Sequence, residues 1–352
     1  MALSFRAFLR SLAANSKALR NPTTVGSQRL TLVLGNESAD LDSIVSSLTL
    51  AYVLSQKTTM AIPVINTNRS DMVLRPDSTQ LLQHTLATSG TTIEEALTFI
   101  DDINLTELIA KAHPLLDVWL VDHNAPSSRQ AQLEPYVTGI VDHHVDEAKC
   151  LVGCGSREHR QIESVGSCAT LVAQRLRGLN VDVDSELALL LLAPILVDSS
   201  NLDPAACRAT TADIECAQWL GSLVDWETNN LAGALDAKSP RELYKALDSL
   251  KGAVSHLSAF DLLRKDYKQW QVSSSVSSTS AASSASGVMW TVGISSIGFP
   301  LKKWIKRDGV AGIELAIRHW MDVQGLDLAL VMTHGKTRVQ GVKTYGRQLV
   351  VA

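Results

Sequence analysis

The triplet Asp142-His143-His144 directly follows the apolar run Val137-Thr138-Gly139-Ile140-Val141, which sets a carboxylate and two imidazoles where a strand ends. Open α/β sheets bind their ligands at the carboxyl ends of the strands. Two more apolar runs finish in acids. Residues 30–34 lead into Gly35-Asn36-Glu37-Ser38-Ala39-Asp40-Leu41-Asp42-Ser43, and residues 116–121 lead into Asp122-His123-Asn124. Asp198 closes the apolar segment 187–197. If these ends converge, Asp40, Asp42, Asp122, Asp142 and Asp198 line one cleft with several imidazoles, a donor set suited to a pair of divalent cations. Such a pair, about 3.5 to 4 Å apart, would hold a bridging water, lower its pKa and present hydroxide in line with a terminal phosphorus.

Each acid also has a plainer reading. Asp40 or Asp42 can cap the helix that follows; Asp122-His123-Asn124 can be a strand-ending turn, and Asp198 a solvent-facing helix end. Taken together, acids at the ends of three parallel strands and one apolar helix call for a common cause.

The elements that must position these groups alternate. From about residue 28 to 200, strand-like runs exchange with helical spacing: Ile44, Val45, Leu48, Ala51 and Tyr52 after the first strand, and Cys168, Leu171, Val172, Ala173 and Leu176 after Gly166-Ser167. A shorter strand is expected at residues 61–65 and helices near 79–88 and 105–112. That alternation predicts an α/β fold, with a parallel sheet covered by helices on both faces. Beyond Asp198 the pattern changes: a turn at Asp203-Pro204, a helix over 210–220, and polar connection to about Pro240. The expected division is an arm over 1–27, a catalytic domain over 28–200, a linker over 201–225 and a smaller α/β domain over 226–352. Within the last, residues 272–286 are almost all Ser, Ala, Thr and Val and read as a flexible loop. Strands at 288–294, 328–332 and 348–351 and a helix face at Ile313, Ala316, Ile317 and Trp320 complete it.

Bulk properties narrow the function. The 352 residues can form two sizeable cores, and a net charge of −4 provides no global basic field to recruit nucleic acid or an anionic membrane. No apolar run reaches the roughly 18 residues of a membrane span, since Pro194 interrupts 187–197. Cys150 and Cys154 have a gap that suits zinc, but no second pair follows at finger spacing, so all five cysteines are expected to be reduced thiols of an intracellular protein. The first 36 residues lack Asp and Glu, carry Arg6, Arg10, Lys17, Arg20 and Arg29, and place Phe5, Phe8, Leu9 and Leu12 on a helical stripe. A mitochondrial leader has that composition; the preferred expectation is a short helix packed on the first domain of a cytoplasmic, monomeric protein.

The strings around Asp40, Asp122, Asp142-His143-His144 and Asp198 resemble the four motifs of the DHH phosphoesterases. With Gly166-Ser167-Cys168-Ala169-Thr170-Leu171-Val172 downstream, they are similar to fungal cytosolic exopolyphosphatases, relatives of prune and of family II inorganic pyrophosphatases. The resemblance is firm over 30–200. It implies an active site in a cleft between a DHH domain and a DHH-associated domain, and two divalent cations, Mg²⁺ or Mn²⁺ and possibly Co²⁺. Asp40 would bind the first, Asp42 the second, and Asp122 both, with His143 and Asp198 completing the second. His144 would protonate or polarise the leaving oxygen. Asn36 stands where pyrophosphatases carry histidine, and its harder amide oxygen is expected to favour Mg²⁺ over Mn²⁺ relative to them.

The implied reaction releases orthophosphate from the end of inorganic polyphosphate. Pyrophosphate or short-chain hydrolysis is the alternative, and a catalytically silent binding protein on the same fold is the reading from another class. Helix starts near Asp42-Ser43 and at Gly166-Ser167 would offer backbone N–H groups to phosphate. Asn36, His144, Ser167, Lys302, Lys303 and Arg347 form the expected substrate contacts, because from residue 301 onward nine basic residues face four acids and the resemblance has this domain close over phosphate. His334 and Lys336 lie nearby just after a strand. The resemblance also implies a further basic segment past 348–351; either Arg347 and its neighbours supply its contacts, or the protein is impaired or truncated, which bears on activity and not on the metal site.

Overall fold

A strand followed by a packed helix returns the chain to start the next strand in the same direction, and that repeated step builds the first sheet. The computed structural model describes residues 3–20, 29–57, 60–151, 153–154, 159–179, 181–228, 231, 233–273, 289–339 and 342–352. Strands β1 (Leu30–Leu34), β2 (Ala61–Ile65), β3 (Thr98–Phe99), β4 (Leu116–Val121), β5 (Val137–Asp142) and β6 (Arg160–Ile162) pair in parallel in the order β3-β2-β1-β4-β5-β6. From β1 the chain winds one way to β2 and β3, then crosses back to β4 and continues the other way. The carboxyl ends of β1 and β4 are therefore the switch point where doubly wound sheets open a crevice.

Side-chain alternation splits the apolar residues of these strands between two cores. Val33, Val121 and Val141 join one, whereas Leu30, Leu32, Leu34, Val118, Leu120 and Ile140 join the other. The first core is built by α1 (Phe5–Arg20), α2 (Leu41–Ser55), α3 (Pro76–Ala87), α4 (Ile93–Ala96), α6 (Cys168–Gly178), α7 (Ser185–Asp198), α8 (Thr211–Leu223) and α9 (Pro240–Lys251); α5 (Leu105–Ala112) and a 3-10 segment over Ser128–Tyr136 contribute to the second. Residues 187–197 are all buried, which makes α7 the central helix of this layer. Among the described residues no helix is long and apolar enough to cross a membrane.

Helix α1 packs as the spacing of its aromatic residues predicted. Phe5 and Phe8 are buried against Tyr52, with ring centroids 5.2 and 5.5 Å away, and Tyr52 Oη donates to the Leu3 carbonyl. The rest of the arm, 21–27, lies outside the described residues.

Two compact units divide at Lys251 and Gly252. Residues read from sequence as linker and as the start of the second domain thus belong to the first unit. The cause is burial: α8 lays Cys216, Ala217 and Leu220, and α9 lays Leu243 and Leu247, into the core that holds α7.

In the second unit, α10 (Ala259–Lys265), β7 (Tyr267–Ser273), β8 (Met289–Ile297), α11 (Leu301–Gln324), β9 (Leu328–Val339) and β10 (Val342–Val351) form a sheet ordered β10-β9-β8-β7. Only β8 and β9, joined through α11, run parallel. Gly309, with φ of 72°, breaks α11 into two pieces. Val272 and Ser273 end β7 rather than opening a loop, because Val272 pairs with Trp290 across the ladder; the remaining serine-rich residues, 274–286, lie outside the described residues.

Candidate active site

The acids converge at the switch point as the strand ends required. β1 delivers Asn36 and Asp40, β4 delivers Asp122, β5 ends in Asp142 and carries on into His143 and His144, α2 begins beside Asp42, and α7 ends in Asp198. Gly35 makes the first turn possible, because a Cβ there would sit 2.5 Å from Ser43 Oγ; that hydroxyl accepts the Asn36 N–H at 2.7 Å. The backbone is held in the left-handed region at Ala39 (φ 45°) and Asp122 (φ 64°). Such conformations cost a non-glycine residue about 1–3 kcal/mol and concentrate at functional sites.

His143 shows how the donors are oriented. Its Nδ1 donates to the Val165 carbonyl at 3.0 Å, which fixes the tautomer and turns the Nε2 lone pair inward. Nε2 then lies 3.2 Å from Asp122 Oδ1 and 3.8 Å from Asp42 Oδ2. Asp42 is buried, and its two oxygens accept the N–H groups of Cys168 (2.6 Å) and Ala169 (2.9 Å) at the start of α6. Asp40 caps α2 by accepting the Ser43 N–H at 3.1 Å. Both helix starts therefore present N–H groups to acids of the site, where sequence reasoning had expected them to meet phosphate. Ser167 stands at the start of α6 without a side-chain cap bond and is fully buried; its hydroxyl partly offsets the upward push on Asp42 and Asp198.

Asn36 departs from the sequence reading. Its Oδ1 accepts the Ala39 N–H at 3.1 Å and its Nδ2 donates to Asp122 Oδ2 at 2.6 Å and to the Asp122 carbonyl at 3.2 Å. The amide is engaged by the turn and by Asp122, so its oxygen has at most one lone pair left for the ligand role expected of it.

The electrostatics are those of a site short of positive charge. Burial, reinforced by Asp42, pushes Asp122 well above the usual carboxylate range despite the pull of His143. Burial and Asp42 do the same to Asp198, and burial raises Asp42 although His143 opposes it. Burial disfavours a charged His143, but Asp122 and Asp42 outweigh it and lift the imidazole to about 10. Asp122 Oδ1 and Asp198 Oδ2 are enclosed without a well-aligned hydrogen-bond donor. Enclosed carboxylate oxygens with an imidazole Nε2 3.2 Å away, a nitrogen that becomes a donor atom once a cation displaces its proton, fit divalent cations. Asp122, His143 and His144 bring ligand atoms within 4.8 Å of one another.

His144 is held differently. Asp142 accepts the His144 Nδ1–H at 2.8 Å, the backbone N–H groups of His143 and His144, and Asn124 Nδ2 at 2.6 Å. Burial works against the Asp142 charge, yet the His144 contacts and Asn124 hold this carboxyl at about 2. The half-exposed His144 ring is left with Nε2 as its reactive atom. Asn124, within a motif already singled out, thus serves Asp142; nothing in its spacing identified that task.

In the second unit, Lys302 and Lys303 occupy the exposed first turn of α11, which follows Pro300. A Cβ on Gly335 would sit 2.9 Å from Pro300, which sets β9 against the start of that helix at the residue after His334, and His334 pairs with Arg347 across β9 and β10. The basic candidates of this unit gather at one end of its sheet. The side chain of Lys336 lies outside the described residues. A separate cavity of about 600 Å³ opens at the amino ends of β1 and β4, lined in part by Arg29, Trp119 and Arg175, and contains none of the acids.

Residues 31–195 match the model of the DHH family, N-terminal domain, and residues 245–352 that of the DHHA2 domain. The chain is 37% identical over 246 residues to the exopolyphosphatase PRUNE1 of Rattus norvegicus, a match covering 69% of this chain and 50% of that protein. The human PRUNE1 is 36% identical over 247 residues, with the same coverage. The chain thus spans about half the length of these mammalian relatives. A putative exopolyphosphatase of Schizosaccharomyces pombe is 31% identical over 351 residues, 95% of this chain and 79% of that protein. Among solved structures, an exopolyphosphatase-related protein from Bacteroides fragilis aligns with a TM-score of 0.44 at 13% identity, covering 92% of this chain and 80% of that one.

Proposed function

The chain belongs to the DHH family, with an N-terminal DHH domain and a C-terminal DHHA2 domain, and from that premise we propose that it hydrolyses the terminal phosphoanhydride bond of inorganic polyphosphate, releasing orthophosphate. The observation that carries the reading is the set of enclosed carboxylate oxygens on Asp122 and Asp198 beside His143 at the switch point. Asp40 and Asp122 would hold one divalent cation, and Asp42, Asp122, His143 and Asp198 a second, Mg²⁺ or Mn²⁺. Bound there, such ions neutralise phosphoryl oxygens and acidify water to furnish the nucleophile.

The remaining work falls to the chain itself. With Nδ1–H held by Asp142, His144 presents Nε2 outward, as the group that would meet the leaving phosphate oxygen. Asn36 fixes Asp122 in its left-handed backbone and pins one of its oxygens, so that the other faces the site. Lys302, Lys303 and Arg347 would supply positive charge for the polyanion, and the N-terminus of α11, which has no side-chain cap, would add its dipole. The names of the rat, human and fission-yeast relatives favour polyphosphate over pyrophosphate as the substrate.

The test is orthophosphate release from long-chain polyphosphate and from pyrophosphate, side by side, with Mg²⁺ and with Mn²⁺. Release from the polymer with little from pyrophosphate is expected. Fast pyrophosphate hydrolysis with an inert polymer would overturn the substrate assignment, and silence on both with metal bound would overturn catalysis.

A further inference from the structure

Asp213 lies on α8, outside every motif that carries the metal site, and is fully buried. It accepts four hydrogen bonds from three segments of chain. Its Oδ2 takes the Gly166 N–H at 2.8 Å, the Thr210 N–H at 2.7 Å and the Thr210 hydroxyl at 2.7 Å, and its Oδ1 takes the Thr170 hydroxyl at 2.6 Å. The Thr210 contacts form an ordinary capping box for α8. The Gly166 and Thr170 contacts cap nothing on α8; they tie it to the strap Val165-Gly166-Ser167 and to the first turn of α6.

That strap orients two of the acid-site donors. The Val165 carbonyl receives His143 Nδ1–H and so selects the tautomer whose Nε2 is a ligand. Two residues beyond Gly166, the Cys168 and Ala169 N–H groups clamp both oxygens of Asp42. The fit is close, since a Cβ on Gly166 would sit 3.0 Å from Asp213 Oδ2 and 2.8 Å from the Arg208 carbonyl.

We propose that Asp213 is a positioning residue for one of the two cations, setting the strap that aims His143 and Asp42 at the same ion. The inference rests on the two-cation reading above. Groups that orient metal ligands typically change metal affinity about 10–100-fold when removed.

The test is calorimetric titration of Mn²⁺ into the chelator-stripped full chain. Wild type should bind two ions. In Asp213→Ala, one binding step should weaken by about 10–100-fold while the other persists. Gly166→Ala, which displaces the strap with Asp213 intact, should weaken the same step. Asp213→Asn should stay near wild type, because its amide oxygen can keep the Gly166 and Thr210 donors while its N–H group donates to the Thr170 hydroxyl.

Unchanged affinities in both Asp213→Ala and Gly166→Ala would overturn the proposal. So would an equal weakening of both steps together with a lowered melting temperature of the metal-free protein, the signature of a merely structural role. If Asp213→Ala does not fold, Gly166→Ala and Asp213→Asn decide alone. Fewer than two ions bound by wild type would sink the two-cation reading itself, and this inference with it.

Discussion

Replacing Asp122 with asparagine should stabilise the metal-free protein while abolishing its response to metal. Without cations, Asp122 is enclosed beside Asp42, and one imidazole must answer for several carboxylates. In Asp122→Asn an oxygen still accepts from Asn36 Nδ2, where the native distance is 2.6 Å, and the new N–H group stands about where Oδ1 now lies, 3.2 Å from His143 Nε2. Freed from the carboxylate, His143 becomes neutral and accepts that N–H. Exchanging a buried, poorly aligned charged pair for a neutral hydrogen bond gains about 1–3 kcal/mol, or roughly 2–10 °C in melting temperature for a unit of this size.

The sign with pH follows from both titrations. Asp122 and His143 hold their protons to higher pH when folded than when unfolded, so metal-free wild type loses stability as pH rises. The loss begins above the ordinary carboxylate range and continues through about 10 for His143. The advantage of the variant should therefore widen from pH 6 to 9, conditions set only by the experiment and spanning roughly the neutral range where histidine normally titrates. Saturating Mn²⁺, at about 100 times its dissociation constant, should add ~2.7 kcal/mol to wild type and little to the variant, which reverses their order. Turnover should fall by at least ~10³-fold, equivalent to ~4 kcal/mol of barrier. Thermal melts with chelator and with Mn²⁺ provide the measurement. An Asp122→Asn protein that melts below wild type in chelator at pH 8, or that gains as much from Mn²⁺, would refute the reasoning.

His144→Gln should bind Mn²⁺ as wild type does in calorimetry and lose turnover, because His144 is anchored by Asp142 through Nδ1 and its Nε2 is the group proposed to meet the substrate; an equal loss of metal would contradict that division of roles. Phe8→Ala should destabilise the first unit by about 3–5 kcal/mol in chemical denaturation, since Phe8 is fully buried against Phe5 and Tyr52; a cost below ~1 kcal/mol would mean that α1 is dispensable to the core.

What the sequence disclosed was whatever a short window can encode. Apolar runs leading to Asp40, Asp122 and Asp142 announced strands whose carboxyl ends carry acids, and the stripe of Phe5, Phe8, Leu9 and Leu12 announced a packed helix. Strands β3 and β6, with 2 and 3 residues, are too short for any periodicity. β7 was obscured because its Trp270 and Val272 run straight into serine-rich sequence. The helices over 211–251 were legible as helices but were assigned to a linker and to the second domain, because their buried residues face α7, a partner far back in the chain. The orientation of the Asn36 amide depends on left-handed backbone at Ala39 and Asp122, and the reach of Asp213 spans 47 residues to Gly166. Neither leaves a local trace.

The placement of the helix starts bears on how phosphate must be recognised. A helix N-terminus is a ready anion site, and two of them open beside these acids. Here Ser43, Cys168 and Ala169 donate to Asp40 and Asp42. Those N–H groups orient the two carboxylates, and the one from Cys168 works against the burial that raises Asp42. The same groups cannot also coordinate substrate oxygens. On the proposed reading, phosphate affinity comes from bound cations and from side chains such as Lys302, Lys303 and Arg347, which are exposed. A site so arranged separates holding the metal from holding the polymer, so that substitutions of those three residues should act on KM while leaving metal affinity intact.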